Sequence, residues 1–168
     1  MIYFLGLGSN LGRRGANLAR ARRRLEKRGV RILKASSIYE TEPVDLREQP
    51  WFLNQVLEVR SGLDPAALLA MVKEIEGEIG RTPSVPKGPR LIDIDVLAAG
   101  RLVLETPGLV IPHPRLHLRN FVLAPLAEIA PRFVHPVLRR TVAALAASSH
   151  DRSRVKKKHG AGRAARSR

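Results

Sequence analysis

The segment Gly88-Pro89-Arg90-Leu91-Ile92-Asp93-Ile94-Asp95-Val96-Leu97 has the clearest capacity for chemistry in this chain. Successive side chains on a β-strand point to opposite faces, so Asp93 and Asp95 share one face and Ile92, Ile94 and Val96 the other. Two carboxylates one pleat apart on a rigid apolar strand suit a hard divalent cation. Magnesium takes one or two carboxylates and completes its shell with water and phosphate oxygens. A pair of such ions about 3.5–4 Å apart can clamp a transferring phosphoryl group. Arg90 adds positive charge beside them. A surface strand with two solvated aspartates is the competing reading, and the spacing alone leaves the two balanced.

Two other strings invite a chemical reading less strongly. Gly6-Leu7-Gly8-Ser9-Asn10-Leu11-Gly12 has neither the Gly-Lys-Ser/Thr ending of a phosphate loop nor the spacing of a dinucleotide fingerprint. It reads as a tight turn from strand to helix. His113, between Pro112 and Pro114, and Arg119 meet a phosphate only if their loop folds toward the Asp93–Asp95 strand.

The elements that must position these residues follow from periodicity. Residues 1–7 read as a strand and 16–28 as a helix stopped by Gly29; 30–39 and 52–59 read as strands. Asp64-Pro65 opens a helix that runs to Ile79 and ends at Gly80, and 91–97 is a strand. Helices are expected over 121–129, despite Pro125, and over 139–147. The order β-α-β-β-α-β is that of a split βαβ. It predicts an α+β, ferredoxin-like sandwich with an antiparallel sheet, two helices on one face and additional C-terminal helices.

With 168 residues, one domain is expected, here residues 1–149. No cysteine is present, which excludes disulfides, thiolate metal sites and cysteine nucleophiles. No apolar run is long enough for a membrane helix, and the N-terminus lacks the basic start of a signal peptide, so a cytoplasmic protein is expected. The net charge of +15 is uneven. Residues 13–34 hold ten Lys/Arg against Glu26 alone, and residues 151–168 hold eight against Asp151 alone. Without apolar periodicity, 150–168 reads as a disordered basic tail with nonspecific affinity for polyanions, dispensable for turnover.

Six ordered strings carry a resemblance. They are Gly6–Gly12; Ser36-Ser37-Ile38-Tyr39-Glu40-Thr41-Glu42-Pro43; Phe52-Leu53-Asn54; Ile75-Glu76 with Gly80-Arg81; Gly88–Asp95 with Ile111-Pro112-His113; and Arg119–Leu126. Between about Ile2 and Ala147 the chain resembles the 6-hydroxymethyl-7,8-dihydropterin pyrophosphokinase family. Its members move diphosphate from ATP to a pterin alcohol in folate biosynthesis, releasing AMP. The resemblance implies the ferredoxin-like fold, ATP and the pterin as partners, a monomer, and two magnesium ions held by Asp93 and Asp95. It implies ATP contacts from Glu76, Arg81, Arg90, His113 and Arg119, with Arg81 and Arg90 also catalytic. Asn54 would read the pterin edge, Phe52 and Phe121 would sandwich its ring, and Thr41 and Val44 would line the pocket.

The chain departs from the family where Pro83 stands in place of a second arginine and Lys87 in place of a tryptophan. Lys87 is a candidate to compensate. Two rival readings are a basic RNA-binding module of the same topology and a metal- or nucleotide-sensing domain without turnover. Aromatics at 4% are sparse for a base-stacking surface.

Overall fold

The computed structural model describes residues 1–80 and 86–158. β1 (Ile2–Ser9) leads into α1 (Arg14–Lys27), followed by β2 (Arg31–Ala35), β3 (Tyr39–Thr41) and β4 (Phe52–Arg60). Then come α2 (Pro65–Ile79), β5 (Asp93–Ala99) and a small hairpin of β6 (Leu104–Thr106) and β7 (Leu109–Ile111). A short 3-10 turn, α3 (Asn120–Ile129), α4 (Val142–Ala147) and β8 (Val155–Lys157) close the chain. This is a mixed α/β fold with an antiparallel sheet. The main sheet runs β5-β1-β4-β3-β8, and β2 pairs with β4 beside β3.

The two faces of the sheet follow the period of two. Tyr3, Leu5 and Leu7 of β1, Leu53, Leu57 and Val59 of β4, and Ile94 and Val96 of β5 pack under α1 and α2. Those helices bury Leu18, Ala21 and Leu25, and Leu68, Val72 and Ile75. On the opposite face Phe4, Val56 and Leu97 pack against Val122, Leu123 and Leu126 of α3 and Leu145 of α4. Helices thus lie on both faces of the sheet. An RNA-binding module needs an open stacking face, and α3 and α4 occupy one half of it.

The boundaries have local causes. Asp64 caps α2 by accepting from the Ala67 amide (2.9 Å), with Pro65 in the first turn and Gly80 in the left-handed conformation at its end. The run expected as one strand over 30–39 is two strands. Between them Ser36 bonds to β4 through its side chain, which accepts from the Val56 amide, while Gln55 donates to its carbonyl. That side-chain bonding interrupts the ladder. Order also extends past Ser149, where the tail was expected to begin. β8 pairs with β3, aligning Tyr39 with Lys157 and Thr41 with Val155. Val155 adds a partly buried side chain, and the ladder itself satisfies the backbone of a segment that has no apolar pattern. The remainder of the tail, 159–168, lies outside the described residues.

Candidate active site

Of the glycines expected in a turn, Gly6 and Gly8 lie inside β1, which runs on to Ser9, while Gly12 does turn the chain toward α1 in the left-handed conformation. Gly6 faces Asp95 across the sheet on one side and Val56 on the other; Gly8 faces Asp93 and Asn54. Without side chains they leave a depression in the sheet. A Cβ on Gly8 would stand 2.7 Å from Asn54 Oδ1, closer than van der Waals contact allows. Glycine is therefore required there by space rather than by a turn.

Over this depression opens a cleft. Its lining includes Thr41, Val44, Phe52, Asn54, Arg90, Asp93, Asp95, Arg119 and Phe121, so nine of the twelve residues singled out in the sequence converge in one place. Asp93 and Asp95 stand on the same face of β5, as their spacing requires. Arg90 Nη1 lies 3.4 Å from Asp93 Oδ2, and its guanidinium sits over the Phe52 ring (5.4 Å). Arg119 sits likewise over Phe121 (5.4 Å). Asn54 is buried and donates one amide hydrogen to Thr41 Oγ1 (2.6 Å), which fixes the orientation of its amide.

Two singled-out residues stand apart from the cleft lining. Glu76 is 2% exposed on the α2 side of β5. Its Oε1 accepts from the Ile94 amide (2.7 Å) and from Lys73 Nζ (3.1 Å), so it anchors the strand between the two aspartates. His113 lies in the neighbouring loop, with Nδ1 accepting from the Arg115 amide (3.1 Å). Arg81 and Pro83 lie outside the described residues.

The family model for 7,8-dihydro-6-hydroxymethylpterin-pyrophosphokinase matches residues 4–131. The chain belongs to this family. It is 46% identical to the Bacillus subtilis 2-amino-4-hydroxy-6-hydroxymethyldihydropteridine pyrophosphokinase over 129 residues, covering 76% of this chain and 77% of that protein. It is 41% identical to the Aquifex aeolicus protein of the same name, covering 82% and 85%. The Pneumocystis carinii folic acid synthesis protein fol1 is 41% identical over 140 residues, but the chain spans only 19% of its length. In fold it resembles the Plasmodium falciparum HPPK-DHPS wild type solved with SDX-DHP, at a TM-score of 0.65 and 18% identity, covering 87% of this chain and 43% of that one.

The electrostatics of this pyrophosphokinase-family cleft favour a cation between the aspartates. Burial pushes Asp95 up to about 6, and the nearby charges of Asp93 and Glu76 act in the same direction against Lys73 and Arg119. Among the described residues no three acidic or histidine side chains gather around a metal position. The protein thus offers two carboxylates open to a cleft, a donor set that suits magnesium, whose remaining ligands come from water and phosphate.

Three residues that build the cleft went unread in the sequence. Asn10, 2% exposed, accepts from the Arg90 amide (2.8 Å) and donates to Gln49 Oε1 (2.9 Å) and the Pro50 carbonyl (3.0 Å). Gln49 in turn donates to the Lys87 carbonyl (3.0 Å). Asn10 and Gln49 therefore join the two loops on either side of the cleft. Asp45 receives Lys87 (3.4 Å), Arg119 (3.3 Å) and Arg115 (3.7 Å). The available signal was the place of Asn10 inside the Gly6–Gly12 string, two residues after Gly8; Gln49 and Asp45 sit in a loop without periodicity.

Proposed function

We propose that this chain transfers the terminal diphosphate of ATP to the hydroxymethyl oxygen of 6-hydroxymethyl-7,8-dihydropterin, yielding AMP and the pterin diphosphate for folate synthesis. The convergence of paired aspartates, arginines and an aromatic-and-amide pocket in one cleft carries this reading. The substrate oxygen attacks the β-phosphorus, the bond from that phosphorus to the α-phosphate oxygen breaks, and AMP leaves in line. The hydroxyl proton departs to solvent.

The chain's own part is binding and orientation. Phe52 and Phe121 hold the flat ring by stacking, and Asn54, oriented by Thr41, pairs with its amide-like edge beside Val44. Arg90 and Arg119, with Arg81 and His113, neutralise the triphosphate, and Lys87 adds a charge on the loop where the family's tryptophan is missing. Asp93 and Asp95 would hold two magnesium ions, which supply charge neutralisation at the transferring phosphoryl group. Glu76 acts by fixing β5 rather than by touching nucleotide.

The finer fold description belongs to the same reading. With β2 and β3 as two pieces of one strand, the order β5-β1-β4-β2/β3 is the ferredoxin-like connectivity. A monomeric, cytoplasmic enzyme completes the proposal; among the described residues no helix is long and apolar enough to cross a membrane. The test is AMP formation from ATP and the pterin alcohol with magnesium. AMP release that depends on the pterin is expected, whereas AMP release indifferent to the pterin, or none at all, overturns the reading.

A further inference from the structure

Residues 151–158, lying past the stretch that the family model matches, hold both walls of the cleft. One wall is the start of α3, carrying Arg119 and Phe121; the other is β3 with the loop after it, carrying Thr41 and Val44, which leads to Phe52 at the start of β4. A helix start leaves amides without partners, and the residue in the N-cap position normally accepts from one of them. In α3 that position is Arg119, which makes no such bond and whose guanidinium lies in the cleft. The acceptor comes from 31 residues away: Asp151 Oδ2 takes the Asn120 amide (2.8 Å), and the Asn120 side chain donates back to the Asp151 carbonyl (2.8 Å). Ser153 bonds Asp151 Oδ1 through both its amide and its hydroxyl, which fixes the carboxylate.

Three residues on, the same segment grips the opposite wall. The Arg154 amide donates to Glu42 Oε2 (2.9 Å), the Glu42 amide donates to the Arg154 carbonyl (3.0 Å), and the Arg154 guanidinium lies over Trp51 (5.1 Å). β8 then pairs with β3 as far as the Lys158 amide, which donates to the Ile38 carbonyl (2.8 Å). At its far end α3 is already tied to β3, where Glu128 accepts from Ser37 and Tyr39. At the ligand end the Asp45–Arg119 pair joins this segment in linking the walls.

We propose that residues 151–158 are a brace that couples the two walls of the cleft, with Asp151 as the positioning residue that sets where Arg119 and Phe121 stand. This rests on the pterin reading of the cleft. Pterin binding is measured by its fluorescence, well below the melting temperature, with magnesium and a non-hydrolysable ATP analogue at saturation. Asp151→Ala is expected to weaken pterin binding about five- to tenfold, the scale of a lost helix cap. Asp151→Asn, which keeps an acceptor, should recover most of it, and a chain ending at Lys158 should match the full chain. An Asp151→Ala protein that melts lower yet binds pterin like the wild type would overturn the brace, as would a chain ending at His150 with unchanged affinity. If the wild-type chain binds no pterin, the functional reading fails, and amide hydrogen exchange still judges the brace. Faster exchange at Asn120 and Glu42 together in Asp151→Ala supports coupling, and faster exchange at Asn120 alone overturns it.

Discussion

Two halves of one sheet face, built from the same three strands, have opposite characters. Toward one end Phe4, Val56 and Leu97 are buried by α3 and α4, and Phe4 meets Phe133 edge to face (5.0 Å). One pleat further along, the same face shows Gly6, Gly8, Asn54, Asp95 and Asp93, and no helix covers it. The three strands and the β1–β4 register are shared, and apart from a register shift between β1 and β5 at Phe4/Leu5 the halves differ in residue type. Where apolar side chains fill the face, burial at about 1.5–3 kcal/mol per large residue recruits a helix. Where glycine removes bulk and aspartate resists dehydration, no helix packs, and the space is left for a ligand whose own charges and ring supply the missing partners.

The largest expected contrast between the halves comes from the acids. Asp93→Ala or Asp95→Ala should lower turnover by about 10²–10³-fold or more, by loss of charge stabilisation in transfer, with cooperative melting retained. Near-normal turnover in either variant would sink the metal assignment. On the covered half, Phe4→Ala should cost about 3–5 kcal/mol of stability in denaturant titration, while the folded fraction keeps its pterin affinity. A specific loss of affinity there would show that the halves are not independent.

Gly8→Ala tests the open half by bulk instead of charge. Displacement of the Asn54 amide should weaken pterin binding by about 1–3 kcal/mol, matching Asn54→Ala, because a buried polar partner is lost in both. The double variant should lose no more than either single one, since both act through one side chain. Additive losses would mean that Gly8 works on something other than Asn54.

His113 gives a pH signature at the rim. Burial, then Arg119 and Arg115, push it down to about 4. An unfolded histidine titrates near 6.5, so as pH falls from 6.5 toward 4 the unfolded chain takes up a proton here that the folded chain does not. Folding stability should therefore fall in that window, and His113→Gln should flatten the slope in melting temperature against pH. An unchanged slope would assign it to other groups. The smallest effect is expected at Asp45. Its pairs are partly exposed, so Asp45→Ala should change melting little, while an ATP analogue binds as well or a few-fold tighter at low salt because Lys87, Arg115 and Arg119 lose a competing anion. Clearly weaker binding would show that Asp45 orients those cations.

The elements and the floor of the cleft were legible to different degrees, and the reasons are physical. α2 announces itself through Asp64-Pro65 and Gly80, and β5 through alternating Asp and Ile, because capping and pleating are local. Six ordered strings identify the family and, with it, most of the cleft lining. The in-strand role of Gly6 and Gly8 was not legible, since the same residues would serve a turn, and only the facing Asn54 side chain decides. Asn10 and Gln49 act through bonds 39 and 80 positions apart in sequence, which no local pattern encodes. The ordered tail was missed because its support is borrowed. Val155–Lys157 has little apolar surface of its own and depends on β3 for its backbone partners.

The same strand also decides how the molecule meets its own copies. β3 is three residues long, and without β8 its outer row of amides and carbonyls would face solvent as a template for another chain's strand. Among the described residues β8 takes that position and ends the sheet with Lys156 and Lys157, side chains of a kind that discourage pairing with a like edge. A surplus of positive charge that looks like an invitation to nucleic acid is, at this edge, a guard against self-assembly, and a chain shortened to residue 150 should be the form that precipitates.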